Sequence, residues 1–228
     1  MTGPVGTGAA VVAAITGAAT AVAATGTATT LGARTAGAAG GCTGAAGTSA
    51  AGAGVGTAAL NIHADRFGSS LLKEMEGASV DGTPRQVPVV TIDGVCAEKK
   101  LAGPYLIKVD VQGAELVVLA GARRTLEESE AVVLETTLFG TLVGGPQLYD
   151  VIVKMKEYGF VVYDIYGLTY RPLDQALLQA DIVFVREQGR FRESHVFATP
   201  EQRREQLCRA EETHRKLTAG SGEKEKLG

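Results

Sequence analysis

The chain has 228 residues, a formal net charge of −3 and 45% apolar residues, enough for one sizeable domain or two small ones and without the charge excess that would draw it to nucleic acid or to an anionic membrane. Three cysteines (Cys42, Cys96, Cys208) and three histidines (His63, His195, His214) lie far apart. That excludes a disulfide framework and a metal-ligand spacing, so no metal is expected, and a reducing, cytoplasmic compartment is.

Residues 1–58 are nearly all Ala, Gly and Thr, with Arg34 the one charge and no Asp, Glu, Lys, Phe or Tyr. No basic residue precedes the apolar run, so a secretory signal is not expected. Ala, Thr and Gly favour hydrocarbon too weakly for a membrane span. Gly6-Thr7-Gly8 and Gly52-Ala53-Gly54-Val55-Gly56 look like nucleotide-binding glycines, but neither follows a strand, and no acid for a ribose occurs before Asp65. With so few side chains able to bury area, this leader is expected to be disordered, or to be the product of a wrong reading frame in GC-rich DNA.

From about Ala59 the sequence is ordinary. Leu60–Ala64 reads as a short strand, and Asp65–Ser70 as a loop whose Gly68-Ser69-Ser70 could donate to a ligand or simply cap the next segment. Val87–Ile92 is β-branched and reads as a strand, followed by a short helical piece over Val95–Leu101. Tyr105–Val109 is a strand that runs into Asp110, Gln112 and Gly113, where the period changes. A helix is predicted from Ala114 to about Glu128, with Glu115 in its first turn complementing the dipole.

Ala131–Glu135 is the next strand, again ending in an acid. Gln147–Tyr158 is an amphipathic helix with Val151, Ile152 and Met155 inward. Phe160–Ile165 and Asp181–Arg186 are strands, and the connection 166–179 is loop-like and allows an antiparallel return. Tyr149, Tyr163, Tyr166 and Tyr170 are expected as packing residues. Thr199-Pro200-Glu201-Gln202 starts a charged surface helix to about Leu217, with a capping box and Pro at the first helical position. The alternation implies an α/β sheet, parallel where helices intervene. Three parts are expected: the leader 1–58, an α/β domain 59–198, and a helix and tail 199–228.

Asp110 is the leading candidate for chemistry, because parallel strands present ligands at their carboxyl ends; capping the following helix is the competing role. Lys108, two residues earlier on the same strand face, needs a partner, and Asp110 and Glu135 are the candidates. Gly113 suits a sharp turn or a close backbone approach.

Lys108-Val109-Asp110-Val111-Gln112-Gly113-Ala114-Glu115, with Val118-Leu119 and Gly121-Ala122 after it, resembles the signature of FkbM-type methyltransferases. Val89–Asp93, Phe67–Ser70 and Val133–Glu135 are similar to that family's flanking elements in the same order, so the resemblance runs from about Leu60 to about Arg192. It implies a Rossmann-like class I methyltransferase sheet, S-adenosylmethionine as cofactor, and methylation of a small-molecule or sugar hydroxyl. Carried onto this sequence, it makes Asp110 and Lys108 catalytic. Ser69, Ser70, Gln112 and Gly113 become cofactor-binding, and Glu115 and Glu135 substrate-binding. The family's first strand, glycine loop and ribose acid should precede Leu60, where the leader lies, so the sheet is expected to be incomplete on its N-terminal side. A non-catalytic Rossmann-like remnant that serves as a binding or interaction domain is the second expectation.

Overall fold

The computed structural model describes residues 10–15, 19–24, 27–32, 50–63 and 68–224. The chain divides into two units, with the boundary between Phe191 and Arg192.

Among the described residues, ten strands and five α-helices follow in order. Strands β1 (Ala10–Ile15), β2 (Ala19–Ala24), β3 (Thr27–Gly32), β4 (Ala50–Ala51), β5 (Gly56–Ile62) and β6 (Thr83–Val90) come first. Then come α1 (Ile92–Glu98), β7 (Tyr105–Val109), α2 (Glu115–Ala120), α3 (Arg123–Glu127) and β8 (Ser129–Thr137). The rest is α4 (Leu148–Glu157), β9 (Phe160–Tyr170), β10 (Leu177–Arg186) and α5 (Pro200–Lys224). The larger sheet has the order β3-β2-β1-β7-β8-β10-β9, and β4-β6-β5 forms a second, smaller sheet. β1, β7 and β8 run parallel, while β10 lies antiparallel between β8 and β9. The fold is mixed α/β.

Alternation along the strands sends one face of the large sheet into the core. Ile107 and Val109 of β7, Val132 and Leu134 of β8, and Ile182 and Phe184 of β10 are buried there with Ile92, Val118, Leu119, Val151 and Met155 from the helices. The opposite face carries Lys108, Glu135 and Asp181, each only partly buried. A smaller cluster of Ala50, Leu60 and Val87 sits in the second sheet.

Several sequence-derived boundaries shift, for local reasons. Residues 64–67, part of the predicted 60–64 strand and 65–70 loop, lie outside the described residues; the strand itself begins at Gly56. The predicted strand through Ile92 stops at Val90, because the Thr91 Oγ1 accepts the Gly94 N–H at 3.0 Å and caps α1. The single helix 114–128 is two helices. Gly121 passes so close to the Gly52 carbonyl that a Cβ would lie 2.1 Å from its oxygen, and Asp93 caps the restarted helix by accepting the N–H groups of Arg124 (3.1 Å) and Thr125 (2.9 Å). The 166–179 connection is mostly strand, since β9 and β10 continue to a tight turn at 171–176. β9 is the edge strand of the large sheet, and from Tyr163 to Tyr170 both of its faces are exposed. Tyr163, Tyr166 and Tyr170 are exposed, as is Tyr149 on α4, so the expectation that they pack in the core does not hold. Ile152 is also exposed, one residue off the Val151–Met155 stripe that does pack.

The second unit holds α5. Thr199 and Gln202 form the predicted capping box, with Gln202 N–H donating to Thr199 Oγ1 and Thr199 N–H to Gln202 Oε1. Ion pairs Glu201–Arg204 and Glu212–Lys216 lie along its exposed surface.

Candidate functional site

The site is built where β7 and β8 end. After Val109 the chain turns through two left-handed residues, Gln112 (φ 51°) and Gly113 (φ 88°). Glycine is required at 113 on two counts: the positive φ, and the side chains of Leu142 and Leu72, which would sit 2.7 and 3.1 Å from an added Cβ. Glu115, the first residue of α2 and 4% exposed, folds its carboxylate back to accept the N–H groups of Val111 (3.3 Å) and Gly113 (3.0 Å). The carboxylate that caps this turn is therefore Glu115, not Asp110. Burial pushes the Glu115 carboxyl above its usual range, and the backbone N–H groups pull against that push.

The turn places the Gln112 amide between two acids. Its Nε2 donates to Glu135 Oε2 at 2.7 Å and reaches Asp110 Oδ1 at 3.4 Å. Burial, the neighbouring Asp110 charge and a hydrogen bond between the two carboxyls raise Glu135 to about 8, so the pair holds a proton at neutral pH. Lys108 does not pair at contact distance with either predicted partner. Its Nζ reaches across β8 to Asp181 Oδ1 on β10 at 2.9 Å. Burial pulls the Lys108 ammonium down, but the hydrogen bond and charge of Asp181, helped by Asp110, outweigh that and hold it above its usual range.

Beside this rim lies a cavity of about 190 Å³, bounded by the end of β8, the start of β10 and the segments around Glu74 and Leu142. Glu74, Gln112, Glu115, Glu135, Thr137 and Thr141 give it a polar lining that, among the described residues, contains no Lys, Arg or His. Glu74 is raised by burial and held back by His63, 3.8 Å away.

The model of the methyltransferase FkbM domain matches residues 27–162, more than half of the chain. The chain belongs to the FkbM methyltransferase family. The matched span differs from the expected Leu60–Arg192 at both ends, beginning inside the Ala/Gly/Thr leader and ending in β9. No curated protein and no solved structure matches the chain.

Within the FkbM domain the predicted residues fall into two groups. Asp110, Lys108, Gln112, Gly113, Glu115 and Glu135 gather at the ends of β7 and β8. Ser69 and Ser70 are buried instead (3% and 1% exposed). The Ser69 hydroxyl accepts the His63 N–H at 3.2 Å. The Ser70 hydroxyl donates to the Gln112 carbonyl at 2.6 Å and accepts the Leu72 N–H at 2.9 Å, so its hydrogen-bonding capacity is turned inward. Sequence reasoning missed Asp181, Glu74 and the threonines of the cavity. Asp181 carried one signal, an acid inside an otherwise apolar strand; its partner becomes visible only when β10 is placed next to β8.

Proposed function

We propose that this chain is an S-adenosylmethionine-dependent O-methyltransferase with a Rossmann-like sheet, acting on a hydroxyl of a small molecule or sugar. The observation that carries the reading is the Asp110–Gln112–Glu135 group at the carboxyl ends of two parallel strands, the place where open α/β sheets bind their ligands. FkbM methyltransferases generally use S-adenosylmethionine, which when bound supplies a methyl group activated by a positively charged sulfur. The donor set at the rim suits that charge: the acids Asp110, Glu115, Glu135 and Asp181 gather there, and Lys108 pairs with Asp181. Asp110 and Gln112 are the residues that would hold the sulfonium end.

The chain's own chemistry is the handling of a proton. Methylating a hydroxyl would exchange the donor's sulfur–methyl bond for a C–O bond, leaving a neutral thioether, and release the hydroxyl proton, which needs a base in reach. Asp110, at the carboxyl end of β7 beside Glu135, is the residue placed to receive that proton. Lys108, anchored on Asp181, holds positive charge near Asp110. The cavity is smaller than the roughly 300–1,000 Å³ of sites for drug-sized ligands, so it takes one end of the acceptor. Its lining of carboxyls, hydroxyls and amides favours an uncharged hydroxylated group over a phosphate or carboxylate.

One observation favours a second reading, a non-catalytic remnant that acts as a binding domain. The nucleoside half of the cofactor calls for a helix after the first parallel strand and an acid beyond it. Here β1 pairs with the antiparallel β2, and no Asp or Glu precedes Asp65. Calorimetric titration with S-adenosylhomocysteine separates the two: saturable binding is expected for the enzyme, and its absence supports the remnant. Asp110→Ala is expected to lower methylation of a hydroxyl acceptor by about 10²-fold or more while leaving S-adenosylhomocysteine affinity within a few-fold. Undiminished turnover would remove Asp110 from the role of base.

A further inference from the structure

A continuous chain of hydrogen bonds links the serine loop, through Gln112, to the carboxyl pair. Ser70 is 1% exposed and fixed at both ends: its N–H and C=O pair with Asn61 (3.1 and 2.8 Å), which ties it to β5. Its hydroxyl takes the Leu72 N–H and gives its proton to the Gln112 carbonyl at 2.6 Å. Gln112 is a non-glycine residue in the left-handed region, a conformation that costs about 1 kcal/mol or more and persists only when its surroundings hold it. The Ser70 bond is made to the backbone of that strained residue, and the side chain it holds in place bridges Glu135 and Asp110.

We propose that Ser70 is a positioning residue: by holding the Gln112 carbonyl it locks the left-handed turn and so aims the Gln112 amide between Asp110 and Glu135. This assigns Ser70 a role through the acid pair rather than in contact with a cofactor. Its catalytic meaning rests on the methyl-transfer reading above. The groups that act on the pair are Asp181, Lys108 and Glu115, besides Gln112 itself. Gln112 donates to a carboxylate oxygen and so favours the charged form of Glu135; loosening it makes Glu135 hold its proton to higher pH.

The test follows the Glu135 carboxyl by ¹³C NMR across pH 5–10, in protein labelled at glutamate and with the resonance assigned by its loss in Glu135→Gln. No donor or acceptor is present, so the outcome is independent of whether the chain transfers methyl groups. S-adenosylhomocysteine titration of the same samples reports on that separate question. In Ser70→Ala the Glu135 midpoint is expected to rise by about half to one pH unit, the equivalent of one lost hydrogen bond. Gln112→Leu is expected to raise it in the same direction, and Ser70→Ala added to Gln112→Leu to raise it no further. A Glu135 midpoint that stays put in Ser70→Ala while it moves in Gln112→Leu overturns the proposal, as does a full additional shift in the double variant. Should Ser70→Ala fail to fold, Ser70→Cys, which keeps the volume with a weak donor, carries the same expectation and the same refutation.

Discussion

Replacing Glu135 with Gln tests the electrostatics of the rim directly. The amide is the neutral counterpart of the protonated acid, so the variant keeps the shape and removes the titration. Glu135 is raised from 4.5 to about 8 by burial and by Asp110. An acid raised in the folded state favours folding while protonated, and that contribution is lost as pH climbs from the unfolded value through the folded one. Wild-type stability should therefore fall relative to Glu135→Gln between about pH 4.5 and 8. At 1.36 kcal/mol per pH unit the interval sets a ceiling of ~5 kcal/mol. Glu135 is only partly buried and its neighbours can relax, so about 1–2 kcal/mol is the expected size. Urea unfolding of both proteins at pH 5, 7 and 9 reads the difference. A gap that is the same at pH 5 and pH 9 would show that Glu135 titrates as an ordinary surface acid, and the proton-sharing pair would have to be abandoned.

Two further substitutions probe how the rim is held. Gly113→Ala combines a positive φ with a Cβ pressed against Leu142, so it should cost about 2–4 kcal/mol in urea unfolding; Gly144→Ala, equally left-handed (φ 74°) but with open space around it, should cost about 1. Lys108→Met leaves the Asp181 carboxylate without its cation and should cost about 1–3 kcal/mol, while the double variant with Asp181→Asn should cost less than the sum of the two singles, a coupling that a thermodynamic cycle measures.

How much of this was legible in the sequence differs between strand and turn. β7 could be bounded because its punctuation is local: Gly103-Pro104 before it, Asp110 and Gly113 after it, and β-prone apolar residues between. The break between α2 and α3 was hidden. Ala120-Gly121-Ala122 reads as tolerable helix, and only the approach of the Gly52 carbonyl to Gly121, from a segment some seventy residues earlier, forces the interruption. The exposed tyrosines of β9 misled for the same kind of reason. Their composition suggests a core, but β9 is an edge strand with register shifts, and an edge is a property of the sheet order rather than of the strand. At the site, the carboxyls that share the end of one strand or one turn, Asp110, Glu115 and Glu135, could be named in advance. The Lys108–Asp181 pair could not, because it spans three strands whose adjacency depends on β10 returning antiparallel between β8 and β9.

Each of the four acids at the rim meets its desolvation differently, and the difference singles one of them out. Glu115 spends its charge on the N–H groups of the turn it caps. Asp181 spends its charge on Lys108 at 2.9 Å. Glu135 gives up its charge by keeping a proton, and takes the short bond from Gln112. Asp110 shares a hydrogen bond with the Glu135 carboxyl but has neither a lysine at hydrogen-bond distance nor a capped N–H, and the Gln112 amide reaches it at 3.4 Å. That leaves Asp110, at the carboxyl end of the central parallel pair, as the rim acid without a cation or a backbone donor at hydrogen-bond distance. On the proposed reading, a hydroxyl that must lose a proton, or a cation held over the rim, meets Asp110 there. The turn before the following helix is held by Glu115, which accepts the N–H groups of Val111 and Gly113, rather than by Asp110.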